Sequence, residues 1–210
     1  MTQASAPAPA RRVGLFGGTF DPVHRAHVAL AEAALAALQL AEVRWIPAGQ
    51  PWQKARPITD AAHRVAMLQL ATRHQPRFVL DRIELDRAGP SYTLDTVQAL
   101  AAAQPGTDWF LLIGQDQYAG LHSWHGWREL LGRVTLAVAQ RPGPAQPVHA
   151  EVLAHVLAHS HRMLPLGMLD IASSDIRERV ARGDDISKLV PPEVARYIDQ
   201  HGLYAATSRS

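Results

Sequence analysis

Val13-Gly14-Leu15-Phe16-Gly17-Gly18-Thr19-Phe20-Asp21-Pro22-Val23-His24-Arg25-Ala26-His27 is the stretch that decides the fold. Residues 13–16 form a short apolar run that reads as a buried strand, and a glycine pair follows it. An alanine-rich segment with helical periodicity then occupies 26–40. Between the two lies a loop whose glycines let a ligand approach the backbone closely. Strand, loop and helix N-terminus in that order make an anion site, because the first N–H groups of a helix have no intrahelical acceptor. His24 and His27 stand three residues apart, so a helix beginning near His24 or Arg25 turns both imidazoles to one face. Each can donate to a phosphoryl oxygen, and protonation strengthens that contact. Spacing alone also fits an ordinary turn followed by two helix-surface histidines. The glycines are not followed by Lys-Ser/Thr, and no Gly-x-Gly-x-x-Gly occurs at this turn, so neither the Walker loop nor the dinucleotide fingerprint applies.

Outward from this segment the pattern alternates. Residues 43–46 read as a second strand ended by Pro47-Ala48-Gly49, and 60–74 as a helix capped by Thr59 or Asp60. A short strand is expected over 78–80 and an alanine-rich helix over 93–103. The continuous apolar runs 109–113 and 134–138 have the character of strands buried on both faces. A helix over 148–159 and two C-terminal helices, over 174–182 and 192–201, complete the reading, the last with proline in its first turn. This predicts an α/β fold: a doubly wound, mostly parallel sheet of Rossmann-like type, with helices on both faces and a C-terminal helical segment. The strand-one glycines, Gly114 and the loop after Ile46 should open on the carboxyl edge of the sheet, where such folds bind ligands. We expect a single domain over 13–204, with 1–12 a disordered lead-in and 205–210 a flexible tail. The histidines near 149–161 are read as surface residues.

With 210 residues, 47% of them apolar, a substantial core is within reach. The formal charge is +2 and the basic residues are dispersed, which argues against a nucleic-acid partner. Without cysteine there are no disulfides, thiolate chemistry or cysteine-bound zinc. The Ala/Pro-rich start is not a secretory signal, and the longest helical apolar stretch contains Glu32 and is too short for a bilayer. A cytoplasmic protein with no membrane partner is expected, as a monomer or a small homo-oligomer.

The run from Gly17 to His27 resembles the Gly-Gly-Thr-Phe-Asp-Pro-x-His-x-Gly-His signature of the nucleotidylyltransferase superfamily. Within it, the similarity is greatest to bacterial nicotinate-nucleotide adenylyltransferases. It continues through Pro90-Ser91-Tyr92-Thr93, Ile113-Gly114-Gln115-Asp116, Arg141-Pro142-Gly143, Ile171 to Arg177, and His201-Gly202-Leu203-Tyr204. That resemblance implies adenylyl transfer from ATP to nicotinate mononucleotide, with Mg²⁺, giving nicotinate adenine dinucleotide and pyrophosphate. Because the nucleophile is already an anionic phosphate, catalysis rests on alignment and charge stabilisation.

By resemblance, His24 and His27 are catalytic and contact the ATP phosphates. Gly17, Gly18, Thr19, Phe20, Gly114 and Asp116 belong to the ATP site, as do Ser173, Ser174 and Arg177, the second phosphate clamp. Asp116 can accept from ribose hydroxyls or help hold the metal, which otherwise binds through the ATP phosphates. Lys54 falls where the family has a lysine in the loop after strand two. Ser91, Tyr92, Thr93, Trp124 and His125 are assigned to the pyridine nucleotide: Trp124 stacks on the ring, and N–H groups near Thr93 and His125 receive the carboxylate. Trp127 is read as packing. Three departures stand out: Ala26 replaces the glycine between the signature histidines, Ala172 a serine of the second motif, and Gln53 a frequent histidine. The rival readings are a nicotinamide mononucleotide or phosphopantetheine adenylyltransferase, and a nucleotide-binding regulator that has lost turnover.

Overall fold

The computed structural model describes residues 10–50, 58–140, 147–157, 161–165 and 171–206. In chain order they form β1 (Arg11–Gly18), α1 (Arg25–Ala37), β2 (Glu42–Pro47), α2 (Ala61–Thr72), β3 (Phe78–Leu80), α3 (Thr93–Ala103) and β4 (Thr107–Gly114). There follow α4 (Gln115–Ala119), a 3-10 turn (Leu121–Ser123), α5 (Trp127–Leu131), β5 (Thr135–Gln140), α6 (Ala150–Leu157), β6 (His161–Pro165), α7 (Ser173–Arg182) and α8 (Pro192–Gln200). The six strands make one sheet in the order β3-β2-β1-β4-β5-β6, and every pairing is parallel. The doubly wound α/β fold expected from the alternating pattern is therefore present.

Strands β1 and β4 are buried on both faces because each face carries its own helical layer. One layer packs Leu30, Leu35, Leu68, Val194 and Ile198 against Phe16, Trp45 and Leu112. The other sets Val97, Leu100, Leu130 and Val152 against Leu15, Leu111 and Ile113. Each such side chain contributes about 1.5–3 kcal/mol of hydrophobic stabilisation. The strand order reverses between β1 and β4, which lie side by side with Leu15 opposite Leu111. Beyond their carboxyl ends is the crevice where open α/β sheets hold ligands. Gly17-Gly18 ends β1 and Gly114 ends β4, so both expected glycine positions border it.

Several boundaries differ from the sequence reading. β1 takes in Arg11 and Arg12, which pair with Thr107 and Asp108, so order begins before residue 13. Both arginines are exposed, and the strand end therefore has no hydrophobic signal. The glycine pair is the last part of a strand rather than a loop. β6 was not anticipated: it is an edge strand, with Leu164 buried and Met163 partly exposed, and so shows no alternation to read. Nor were α4, the 3-10 turn and α5, each too short for a helical period to register. Among the histidines read as surface residues, His155 is half-buried, hydrogen-bonded to the Arg128 carbonyl at 3.2 Å and edge-on to Trp127. Among the described residues, no helix is long and apolar enough to cross a membrane.

Candidate active site

α1 begins with His24 as its N-cap in extended conformation, so the helix starts where the two-imidazole reading requires. The rings of His24 and His27 stack at 3.6 Å between centroids. The His24 backbone N–H donates to His27 Nδ1 at 3.2 Å. A ring nitrogen that accepts carries no proton in the neutral imidazole, so the proton of neutral His27 resides on Nε2. This is a fixed donor tautomer built from the main chain alone. Phe20 holds a left-handed conformation (φ 49°), uncommon for an aromatic residue, and is wedged among Phe16, His27 and Trp45. That packing sets the direction in which the chain enters α1.

His24 and His27 line a cavity of about 330 Å³ together with Gly17, Gly18, Thr19 and Phe20. Gly114, Asp116, Ser173, Ser174 and Arg177 line the same cavity, so the residues assigned to catalysis and to ATP meet in one place. Ala26 is there too, its methyl group occupying a wall between the histidines. Two helix N-termini, of α1 and α7, thus face one space, which favours an anion with several charges. At α7 the hydroxyls do something other than expected. Ser173 Oγ donates to the Pro22 carbonyl at 3.0 Å and Ser174 Oγ to the Asp175 carboxylate at 3.2 Å. Arg177 Nη1 donates to the Asp21 carbonyl at 2.7 Å. The second motif is therefore fastened to the first, and the first turn of α7 lines the cavity beside it. Ala172 is the N-cap of α7 and has no side-chain oxygen to accept from the N–H groups of that turn.

A second cavity, of about 250 Å³, lies on the other side of Gly17-Gly18-Thr19. Ser91, Tyr92, Thr93, Trp124 and His125 all line it. Thr93 is the first residue of α3, and Tyr92, its N-cap, makes no side-chain cap, so the first N–H groups of this helix are not capped by it. The Tyr92 and His125 rings stack at 4.4 Å. Ser91 proves to be a strut: its oxygen accepts from the N–H groups of Gly49 and Gln50 at 3.0 and 3.2 Å. Trp127 is buried in the core, as the packing reading expects. Lys54 and Gln53 lie outside the described residues.

Beneath the first loop is a buried polar layer that sequence reasoning missed. Asp21 is fully buried, and its carboxylate accepts from the Tyr204 hydroxyl at 2.7 Å and the Thr59 N–H at 3.5 Å. Arg64, also buried, donates to the carbonyls of Thr59 and Thr19, each at 2.9 Å. Burial lowers the Arg64 pKa, against the opposing attraction of Asp21. Burial and the neighbouring Asp21 charge push the Tyr204 hydroxyl well above the usual tyrosine range, so it remains a donor. Among the described residues no cluster of three or more histidines and carboxylates could hold a metal. Among the described residues, Asp116 is the carboxylate that borders the ATP-side cavity.

Comparison with known proteins agrees with this geometry. A cytidylyltransferase-like family model matches residues 15–179. A probable nicotinate-nucleotide adenylyltransferase of Methylibium petroleiphilum is 48% identical over 202 residues, covering 94% of each chain. Its counterpart in Bordetella petrii is 46% identical, covering 92% of this chain and 99% of its own. The chain belongs to the nicotinate-nucleotide adenylyltransferase family. The fold also matches a solved structure of Plasmodium falciparum nicotinic acid mononucleotide adenylyltransferase complexed with NaAD, with a TM-score of 0.79 at 18% identity, covering 92% of this chain and 97% of that one.

For a nicotinate-nucleotide adenylyltransferase, the residue most easily overlooked in this sequence is Glu84. It is buried, lines the second cavity, and accepts from the Thr96 hydroxyl at 2.8 Å. Burial raises its pKa, opposed by hydrogen bonds from Thr96 and Ser91 and by the charge of Arg87. Arg87 in turn donates to Thr96 Oγ1 at 3.1 Å and to the Tyr92 carbonyl. Nothing local marks Glu84: residues 81–87 carry five charged side chains, Asp81, Arg82, Glu84, Asp86 and Arg87, and only the fold shows that Glu84 is the buried one.

Proposed function

We propose that the protein transfers the adenylyl group of ATP to nicotinate mononucleotide, giving nicotinate adenine dinucleotide and pyrophosphate, a step of NAD biosynthesis. The observation that carries this reading is the pair of cavities sharing the Gly17-Gly18-Thr19 wall. One is ringed by histidines, Arg177 and two helix N-termini; the other has Trp124 and the α3 N-terminus. An oxygen of the nicotinate mononucleotide phosphate attacks the α-phosphorus of ATP, the bond to the β-phosphate bridging oxygen breaks, and pyrophosphate leaves with the electron pair. The attacking oxygen is already anionic, so no side chain has to remove a proton. His27, through Nε2–H, and His24 stabilise the phosphoryl oxygens, while Arg177 and the start of α7 hold the departing pyrophosphate. Asp116, which lines the ATP-side cavity, is the residue that would help hold Mg²⁺, and the ion, bound mainly through the ATP phosphates, would supply offsetting positive charge.

N–H groups at Thr93 suit a pyridine carboxylate, since an amide would turn donors of its own toward them. Cavities of this size suit small-molecule substrates, and we read the protein as a cytoplasmic biosynthetic enzyme. The test is pyrophosphate release from ATP and Mg²⁺ with nicotinate mononucleotide, nicotinamide mononucleotide or phosphopantetheine in turn. The acid should be used fastest. Binding of ATP without release of pyrophosphate with any acceptor would overturn the enzymatic reading, and faster turnover of the amide would overturn the preference.

A further inference from the structure

Gly17, Gly18, Thr19 and Gln117 border both cavities. Two nucleotides that react through their phosphates must bring them together where their sites meet, which is beside these residues. The glycines offer main chain only, and Thr19 adds a short hydroxyl on a backbone whose carbonyl is held by Arg64. Gln117 is different. It is exposed at the start of α4, and its side chain ends in an amide with a donor and an acceptor end. The acceptor end is committed: Oε1 takes the Gly114 N–H at 3.0 Å. That bond also settles which end of the amide is which, and leaves the NH₂ group as the end available to a ligand.

We propose that Gln117 is a catalytic residue whose side-chain NH₂ donates to the α-phosphoryl oxygens while the adenylyl group passes between pyrophosphate and the acceptor phosphate. The inference rests on the adenylyl-transfer reading given above. In that step one P–O bond forms and one breaks, no proton is transferred, and the α-phosphoryl oxygens stay negatively charged throughout. A neutral amide matches this requirement. It donates at every pH at which the enzyme is folded, does not repel the acceptor phosphate, and is held in place by a backbone N–H rather than by another charge. The Gly114 bond thus converts a flexible surface glutamine into an oriented donor at the junction.

Two variants separate this role from simple support of α4. Gln117→Glu keeps an oxygen acceptor for the Gly114 N–H but replaces the NH₂ donor with a second oxygen. Gln117→Met has similar length and loses both groups. Pyrophosphate release with nicotinate mononucleotide gives kcat, calorimetry gives the affinity for ATP and for nicotinate mononucleotide separately, and thermal unfolding reports folding. For Gln117→Glu we expect kcat to fall by about 100-fold or more, the loss seen for a single oxyanion donor. Its Tm should match that of the wild type, but its added negative charge should also weaken both nucleotide affinities, so Gln117→Met, which removes the donor without adding charge, carries the test: its kcat should fall by a similar factor while its affinities change far less. If Gln117→Glu turns over normally while Gln117→Met is slow and less stable, the glutamine only caps Gly114 and the inference is wrong. A wild type that releases no pyrophosphate with any acceptor overturns the functional reading and this inference together; an active wild type matched by Gln117→Glu overturns the inference alone.

Discussion

The Arg177 guanidinium donates to the Asp21 main-chain oxygen at 2.7 Å, tying α7 to the loop after β1 across 156 residues of chain. With Ser173 bonded to Pro22, this ties the two motifs together at two points. A guanidinium can hold a carbonyl with one nitrogen and present others to a phosphate, whereas an ammonium is a single point charge. Arg177→Lys should therefore lower kcat/KM for ATP by about 10- to 100-fold, the equivalent of one charged hydrogen bond. Steady-state kinetics with varied ATP checks this. A lysine variant with wild-type kcat/KM would remove Arg177 from the clamp.

The bond from the His24 N–H to His27 Nδ1 makes Nε2 the donor of His27. His27→Ala should lower kcat by about two to three orders of magnitude, as loss of an oxyanion donor does, while ATP affinity changes much less. His27→Gln carries an amide nitrogen near the position of Nε2 and should recover part of the rate. Single-turnover kinetics and equilibrium binding on the three proteins decide it. Equal losses in rate and binding would show that His27 acts on the ground state only.

The sheet and the residues that line the first cavity were legible because their signals are local. The glycine pair, the apolar run before it and the histidine spacing all lie within fifteen residues, and the runs at 109–113 and 134–138 are hydrophobic enough to read as buried strands. What joins the parts was not legible. Asp21, Arg64 and Tyr204 are individually ordinary polar residues, and only folding brings them together from positions 21, 64 and 204 into one buried layer. Ser91 shows the same limit from the other side: it lines the second cavity with the residues assigned beside it, and only the fold shows that its oxygen accepts from the loop after β2.

Tyr204→Phe keeps the ring and removes the hydroxyl that Asp21 accepts from. The buried carboxylate then lacks that donor, and stability should fall by about 1–3 kcal/mol. A pH signature accompanies this. The Tyr204 pKa is raised in the folded protein, so above about pH 10 the unfolded chain loses a proton that the native state retains. Stability therefore falls as pH rises through that range, by about 1.4 kcal/mol per pH unit, and the phenylalanine variant lacks this contribution. Urea unfolding of both proteins from pH 8 to about pH 11 measures it. Parallel pH profiles would mean that burial and Asp21 do not hold the proton on the Tyr204 hydroxyl.

Glu84 links the pyridine-side wall to its support. Its carboxylate accepts from the Thr96 hydroxyl and from Ser91, whose oxygen already takes the N–H groups of Gly49 and Gln50. In Glu84→Gln one end of the amide becomes a donor facing that filled hydroxyl oxygen, so one bond is lost and Ser91 shifts. A hydrogen bond of about 1 kcal/mol corresponds to a several-fold effect, and we expect KM for nicotinate mononucleotide to rise by that amount. KM for ATP should stay constant, because Glu84 borders the second cavity and not the first. Burial raises the Glu84 pKa, so the native state holds its proton more tightly than the unfolded chain does. Its contribution is thus most favourable at low pH, declines as pH rises through the window just above the ordinary glutamate range, and is constant beyond it. Glutamine does not titrate, so the stability difference between the two proteins should change across that window and nowhere above it. Thermal unfolding from about pH 4 to about pH 7 gives the difference directly, and a flat difference would mean that Glu84 titrates as an exposed carboxylate does.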